Sequence, residues 1–330
     1  MLLDAKQSTI TNTILESNIV IEAVRVTEAA AIASYKFIGR GREDEADQAA
    51  VNAMRGALSS MNIDGTVVIG EGERDNAPML YVGEKVGTGK GPKIDIALDP
   101  LEGTTICATG GPNSMSVIAM VESGGLLNAP DVYMDKIAIG VSHGEQIVDL
   151  DDSPKQNLTN LAKIKKCEID DLLVVILQRE RHEELIAKVR EAGARIMLIK
   201  DGDIAAVIAT VLNNTGVDMY MGIGGAPEGV LAAAALATVG GQIMGRLLFD
   251  DDRQKNRAKS MGISDFNRKY VASDLANGDN VMFAATGVTS GSLLKGVNFL
   301  SNGNISTNSI AMSSKYKTLR YIDTEHIIKL

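Results

Sequence analysis

Carboxylates gather just past short apolar runs in this sequence. Residues 94–104 read IDIALDPLEGT, a strand-like run that delivers Asp99 at its end, then Pro100, Glu102 and the hydroxyls of Thr104 and Thr105. A carboxylate at a strand tip is held rigidly. If a helix starts after Pro100, its unpaired N–H groups make an anion site beside Asp99 and Glu102. One segment could then hold a divalent cation and a phosphate together. A strand followed by a capped helix, with Asp, Glu and Thr satisfying orphan N–H groups, would give the same string. Two further clusters shift the balance. TVVIG (66–70) ends in EGERD, which places Glu71, Glu73 and Asp75 past another strand tip. REDEAD brings Asp44, Glu45 and Asp47 to the start of a helix marked by Ala50, Met54, Ala57, Leu58 and Met61 at helical spacing. Asp44 and Glu45 read as a solvated cap, and Asp47 as the ligand candidate.

The elements that must position these groups can be read from periodicity. Residues 12–38 predict a long apolar helix ending at Gly39 and Gly41, and TVVIG, YVGEKV, IDIAL and MSVIAMV predict strands with an antiparallel component. The polar stretch 143–160 predicts a boundary, with an acidic α+β lobe over 1–155 and an α/β lobe over 156–330. Beyond it LLVVIL (172–177), RIMLI (195–199) and VDMYM (217–221) alternate with helical segments, the signature of parallel βαβ units. Working sites in such sheets lie past the carboxyl ends of the strands. There the sequence has QRERH with Arg179 and Arg181, KDGD with Asp201 and Asp203, and GIGGAPEG with Glu228. Surface ion pairing, a turn and a helix-dipole contact are the plainer readings of these three, taken singly.

Composition narrows the chemistry. The chain has 330 residues, 45% of them hydrophobic, and a net charge of −9, which disfavours a general nucleic-acid binder. Cys107 and Cys167 have no paired spacing, so a disulfide framework and a structural zinc site are unsupported, and a cytoplasmic setting is the expectation. The first residues lack the basic-then-apolar pattern of a secretory signal, and VLAAAALA (230–237) is too short to span a bilayer. Neither cysteine has an arginine six positions on. The DGD at 201–203 lacks the early-strand setting of a phosphoaspartate loop. GxxxxGK[ST] is absent, and Pro227 breaks the dinucleotide fingerprint in GIGGAPEG. With only His143, His182 and His326 available, a histidine-rich metal site is unsupported as well. What remains is an oxygen-ligand set, Asp47, Glu71, Asp99, Glu102 and Glu228, which favours magnesium or manganese.

The long segments VVIGEGERDNAPMLYVGEKVG, IDIALDPLEGT, NAPDVYMDK, KDGDIAA, GIGGAPEGV and FAATGVTSGSLLKGV carry a family resemblance. The chain resembles a class II fructose-1,6-bisphosphatase of the lithium-sensitive sugar-phosphatase superfamily, over nearly its whole length. That resemblance implies a layered αβαβα fold, and hydrolysis of the 1-phosphate of fructose 1,6-bisphosphate in gluconeogenesis. It implies Mn2+ or Mg2+ held by Asp47 and Glu71 at one position and by Asp99, Glu102 and Glu228 at another. It implies substrate contacts from Glu102, Gly103, Thr104, Tyr133, the segment Arg179, Glu180 and Arg181, the segment Asp201, Gly202 and Asp203, and Gly225. Catalysis would fall to Thr104 in a relay with Asp47 and Glu71. The implied partner is a small sugar bisphosphate, with no nucleic acid and no membrane, and the chain is expected to form a homo-oligomer, dimer or tetramer. Arg179 and Glu180 stand where the family pattern has Lys-Pro, and Glu43 where a lysine is expected. A dual fructose-1,6- and sedoheptulose-1,7-bisphosphatase would use the same residues. An inositol-phosphatase-like enzyme and a non-catalytic sugar-phosphate sensor are the other readings.

Overall fold

The computed structural model of the chain describes residues 18–72, 79–141 and 145–328. Glu73, Asp75 and His143, and the start of the helix expected from residue 12, lie outside them. In chain order the elements are α1 (Asn18–Tyr35), α2 (Glu43–Leu58), β1 (Asp64–Ile69), β2 (Lys85–Val86), β3 (Lys93–Glu102), α3 (Thr104–Thr109), β4 (Met115–Glu122) and β5 (Tyr133–Ile139). Then follow α4 (Pro154–Lys165), β6 (Leu173–Leu177), α5 (Glu183–Glu191), β7 (Arg195–Ile199), α6 (Asp203–Ala209), β8 (Met219–Gly225), α7 (Ala226–Val239), β9 (Gln242–Leu248) and α8 (Asp252–Ser260). The chain continues through β10 (Lys269–Val271), α9 (Ala272–Leu275), β11 (Met282–Gly287), β12 (Asn298–Phe299), β13 (Ile305–Ser313) and β14 (Thr318–His326).

Two mixed sheets organise these elements. The larger runs β12-β13-β11-β4-β3-β1-β2, with β14 on β13, and the smaller runs β10-β9-β5-β8-β6-β7. One side of the larger sheet is covered by α1 and α2, whose Val24, Ala30, Met54 and Leu58 meet Ile96, Ile118 and Ala284. Between the sheets lie α6 and α7, where Ile204, Val230, Leu231 and Ala234 meet Val117, Phe283, Ile243 and Tyr220. On the far side of the smaller sheet α4 and α5 place Leu158, Leu161, Ile186 and Val189 against Ile137, Val174 and Ile176. The order helix, sheet, helix, sheet, helix is the expected αβαβα layering. A helix covered on both sides must be apolar all round, and the Ala-rich α7 is buried along nearly its whole length.

The pairing of β6 with β7 and β8 is parallel, as the alternating pattern predicts. The chain path departs from the expectation elsewhere. β5, from the first part of the chain, joins the smaller sheet between β8 and β9, while β11 to β14 return to the larger one. The expected division at residue 155 therefore does not follow sheet membership. Only Lys85–Val86 of YVGEKV forms strand. Hydrophobic alternation marks which segments are strands but not their partners, so a return to an earlier sheet leaves no local signal.

Candidate active site

The expected helix start at Pro100 is instead a continuation of strand. β3 runs through Pro100 and Leu101 to Glu102, with a one-residue bulge against β4, where Asp99 faces Val117 and Glu102 faces Met115. Proline has no N–H to give a ladder, so it suits such a break. The bulge has a chemical result. Residues three apart in a regular strand point to opposite faces, and one extra residue restores Asp99 and Glu102 to the same side. The Asp99 carboxylate takes the Leu101 N–H at 3.0 Å. Glu102 receives the Ile204 N–H from the first turn of α6 at 3.4 Å.

Glu228 arrives from the smaller sheet. β8 ends at Gly225, which caps α7, and the helix opens with Ala226 and Pro227, with Glu228 in its first turn. One oxygen each of Asp99, Glu102 and Glu228 lie within 4.8 Å of one another. Carboxylates this close repel, and burial sharpens the repulsion. Burial first, then Asp203 in its neighbourhood, pushes Glu228 up to about 7 against the pull of Lys136. Burial raises Asp99 to about 6, opposed by its hydrogen bonds to Glu102 and the Leu101 N–H. Burial and then Asp99 drive Glu102 well above the usual carboxylate range. Among the described residues, the buried Oε2 of Glu228 has no hydrogen-bond donor. Oxygen-only donors, crowding and an unsatisfied buried oxygen are what a hard divalent cation satisfies, so these residues fit one.

Asp47 and Glu71 line the same cleft of about 360 Å³ as Asp99, Glu102, Gly103, Thr104, Asp201 and Glu228. Asp47 sits one turn into α2, and Glu71 follows β1, where its N–H bonds Leu80 at 3.0 Å. A side chain on Gly70 would place Cβ 2.0 Å from the Leu80 carbonyl, so a glycine must precede Glu71 here. Burial, then Asp99 and Asp47, pushes Glu71 up to about 8. Burial raises Asp47 and Asp201 as well.

The remaining expected residues are divided between this cleft and its surroundings. Arg179 and Glu180 line a neighbouring cavity of about 1110 Å³ that also touches Asp201. Tyr133 is 47% exposed and opposite Gly225 in the β5–β8 pairing, and the Arg181 guanidinium lies 4.7 Å from its ring centre. Arg181 also donates to the Ile223 carbonyl at 2.8 Å, which fixes it beside Tyr133. Gly202 caps α6 in the left-handed conformation, with φ 86°. Asp203, expected as an acceptor for sugar hydroxyls, is not among the residues that line the cleft. It is buried, paired with Lys136 and bonded by the Tyr220 hydroxyl at 3.3 Å. Glu43 accepts from Thr105 at 3.1 Å, which gives the departure from the family pattern a local partner.

Asp131, Arg257 and Lys136 escaped the sequence reading. Asp131 and Arg257 line the cleft. Asp131 was within reach, in the segment NAPDVYMDK. Arg257 lies in α8, DRQKNRAKS, whose composition reads as a solvated helix.

An acidic cleft between two sheets, lined by oxygen donors that suit hard cations, fits a phosphoester-hydrolase type of site. The chain belongs to the bacterial, glpX-encoded fructose-1,6-bisphosphatase family, whose model matches residues 17–326. It is 44% identical to the D-fructose 1,6-bisphosphatase class 2/sedoheptulose 1,7-bisphosphatase of Synechococcus elongatus, covering 95% of this chain and 97% of that one. The corresponding protein numbered 2 of Acaryochloris marina is 43% identical, covering 96% and 97%. Among solved structures, the inositol monophosphatase from Anabaena aligns with a TM-score of 0.31 at 15% identity, over 59% of this chain and 70% of that one.

Removing Glu228 should expose its role directly. Glu228→Ala is expected to raise the half-activating cation concentration by about tenfold or more. A metal titration of activity checks this, and unchanged dependence removes Glu228 from the ligand set.

Proposed function

We propose that this chain hydrolyses the 1-phosphate of fructose 1,6-bisphosphate, releasing fructose 6-phosphate and inorganic phosphate. The observation that carries the reading is the three-carboxylate cluster of Asp99, Glu102 and Glu228 beside Thr104, Asp47 and Glu71, in a chain of this family. Asp99, Glu102 and Glu228 would hold one divalent cation and Asp47 with Glu71 another, Mn2+ or Mg2+. When bound, such cations neutralise phosphate charge and lower the pKa of water. The residues do the rest. Thr104 orients the attacking water in line with the scissile bond, and Asp47 and Glu71 accept its proton. Gly103 leaves the backbone open to the phosphate. Arg181 and the Tyr133 hydroxyl hold the distal phosphate by charge-assisted hydrogen bonds, with Arg179 and Glu180 at the border of the wider cavity. Asp201 accepts sugar hydroxyls, and Gly202 and Gly225 shape the turns at either side.

A second reading has its own support. The relatives' names join fructose 1,6- and sedoheptulose 1,7-bisphosphatase activity. The large cavity continuous with Asp201 offers room for a longer sugar. A cytoplasmic setting suits the free Cys107 and Cys167, and no helix among the described residues is long and apolar enough to cross a membrane. Homo-oligomer formation, as dimer or tetramer, is supported by the open edge β7, where Met197 and Leu198 are exposed.

The test is phosphate release from fructose 1,6-bisphosphate by chelator-treated protein, with Mn2+ or Mg2+ restored. Sedoheptulose 1,7-bisphosphate and inositol 1-phosphate run beside it. Cation-dependent turnover of the bisphosphates is expected, and silence on both sinks the proposal.

A further inference from the structure

One lysine is buried among the acids of the site. Lys136 of β5 is 1% exposed, and its Nζ donates to Asp203 Oδ2 and, at 2.9 Å, to the Gly225 carbonyl. These partners begin the two helices between the sheets. Asp203 opens α6, two residues after Asp201 in the cleft, and Gly225 caps α7, whose first turn carries Glu228. The surrounding glycines make room for the contact. A Cβ on Gly224 would stand 2.2 Å from Asp203 Oδ2 and 3.0 Å from Lys136 Nζ, and one on Gly225 would stand 1.8 Å from Glu228 Oε2. A Cβ on Gly229 would come within 3.2 Å of Lys136 Cδ.

Building on the proposed cation binding, we infer that Lys136 is a positioning residue: its ammonium clamps the start of α6 to the start of α7, and thereby places the Glu228 carboxylate beside those of Asp99 and Glu102. A buried ion pair is a costly way to hold two helices, since an apolar pair of similar volume often does so equally well. What the lysine adds is direction. It reaches the Asp203 carboxylate and the Gly225 carbonyl at once, and fixes the carbonyl that precedes the Glu228 turn.

The test uses a swap that leaves net charge unchanged, because removal of Lys136 alone would make the site more negative and draw cations by Coulomb attraction. In Lys136→Met with Asp203→Asn both charges go together. A companion, Lys136→Gln with Asp203→Asn, keeps hydrogen-bonding groups in the same place. Mn2+ binding to chelator-treated protein without substrate is read from loss of the free-ion electron paramagnetic resonance signal. Circular dichroism and gel filtration report the fold. The Met variant is expected to fold and to bind Mn2+ about tenfold or more weakly, and the Gln variant to recover part of the loss. Binding equal to the unmodified chain in whichever variant folds overturns the proposal. Failure of both to fold also overturns it, since the pair would then hold the fold and not the site. Absence of binding by the unmodified chain in the same titration counts against the cation reading itself.

Discussion

Thr104→Ala is expected to lower kcat on fructose 1,6-bisphosphate by roughly 10²- to 10⁴-fold, the usual worth of a group that positions and relays a proton. Thr104 is the first residue of a short helix that follows Gly103, whose φ of 75° turns the chain out of β3. It therefore stands directly beside the Asp99–Glu102 bulge, in the cleft that Asp47 and Glu71 also line. Alanine is at least as good a helix former as threonine, so the local fold should survive the change. KM and the melting temperature should move little while kcat falls, a pattern that marks loss of an interaction made in the transition state. Steady-state kinetics beside a thermal melt check this. Near-normal turnover would take Thr104 out of the relay and leave proton transfer to the carboxylates alone.

The stability of the cation-free protein is expected to decline from pH 5 to pH 9, and added Mn2+ or Mg2+ to restore more of it at the alkaline end. The cause lies in the crowded carboxylates. Glu71 titrates near 8 in the folded chain, against 4.5 ordinarily. The folded state thus keeps a proton there that the unfolded state has released. Stability is fully present below about pH 4.5 and is lost as pH rises through the folded value near 8. A shift of that size corresponds to a loss on the order of 5 kcal/mol. Glu228 and Asp99, displaced upward to about 7 and about 6, add losses of the same sign, though as coupled neighbours they are not simply summed. A bound cation relieves the repulsion and selects the deprotonated form. The measurement is a melting temperature at pH 5.5 and 8.5, with chelator and with cation. A cation effect equal at both values would show that the cation binds elsewhere.

The parts of the site that were legible share a physical basis. Asp99, Asp47, Glu71 and Glu228 each stand just beyond or just inside the end of a periodic segment, where an acidic side chain has no role in a core. Their convergence followed from strand tips pointing the same way. The bulge at Pro100 was not legible, because a proline after a strand more often stops it. Lys136 was invisible for a different reason: on an alternating strand a lysine reads as solvent-facing. Only the pairing, which sets Lys136 opposite Gly222 of β8 and Gly245 of β9 in the middle of the sheet, leaves it buried. The partnership of Asp203 with Lys136 is equally hidden in the sequence, since it depends on the same pairing. Chain order does not reveal which sheet a strand joins, because sheet membership depends on which distant strands find one another.

That interleaved path has a consequence for how the molecule comes into being. β4 carries the Val117 and Met115 that face Asp99 and Glu102, and its other edge is completed only by β11, from near the end of the chain. While the chain is being synthesised, that edge remains an open template with its N–H and C=O groups unmatched. Pairings so distant in sequence form late, after the loop-closure entropy has been overcome. The acidic centre should therefore be among the last regions to take shape. A nascent chain that stalls before residue 282 would carry the clustered carboxylates without the completed sheet around them, and would be prone to pair with its neighbours instead.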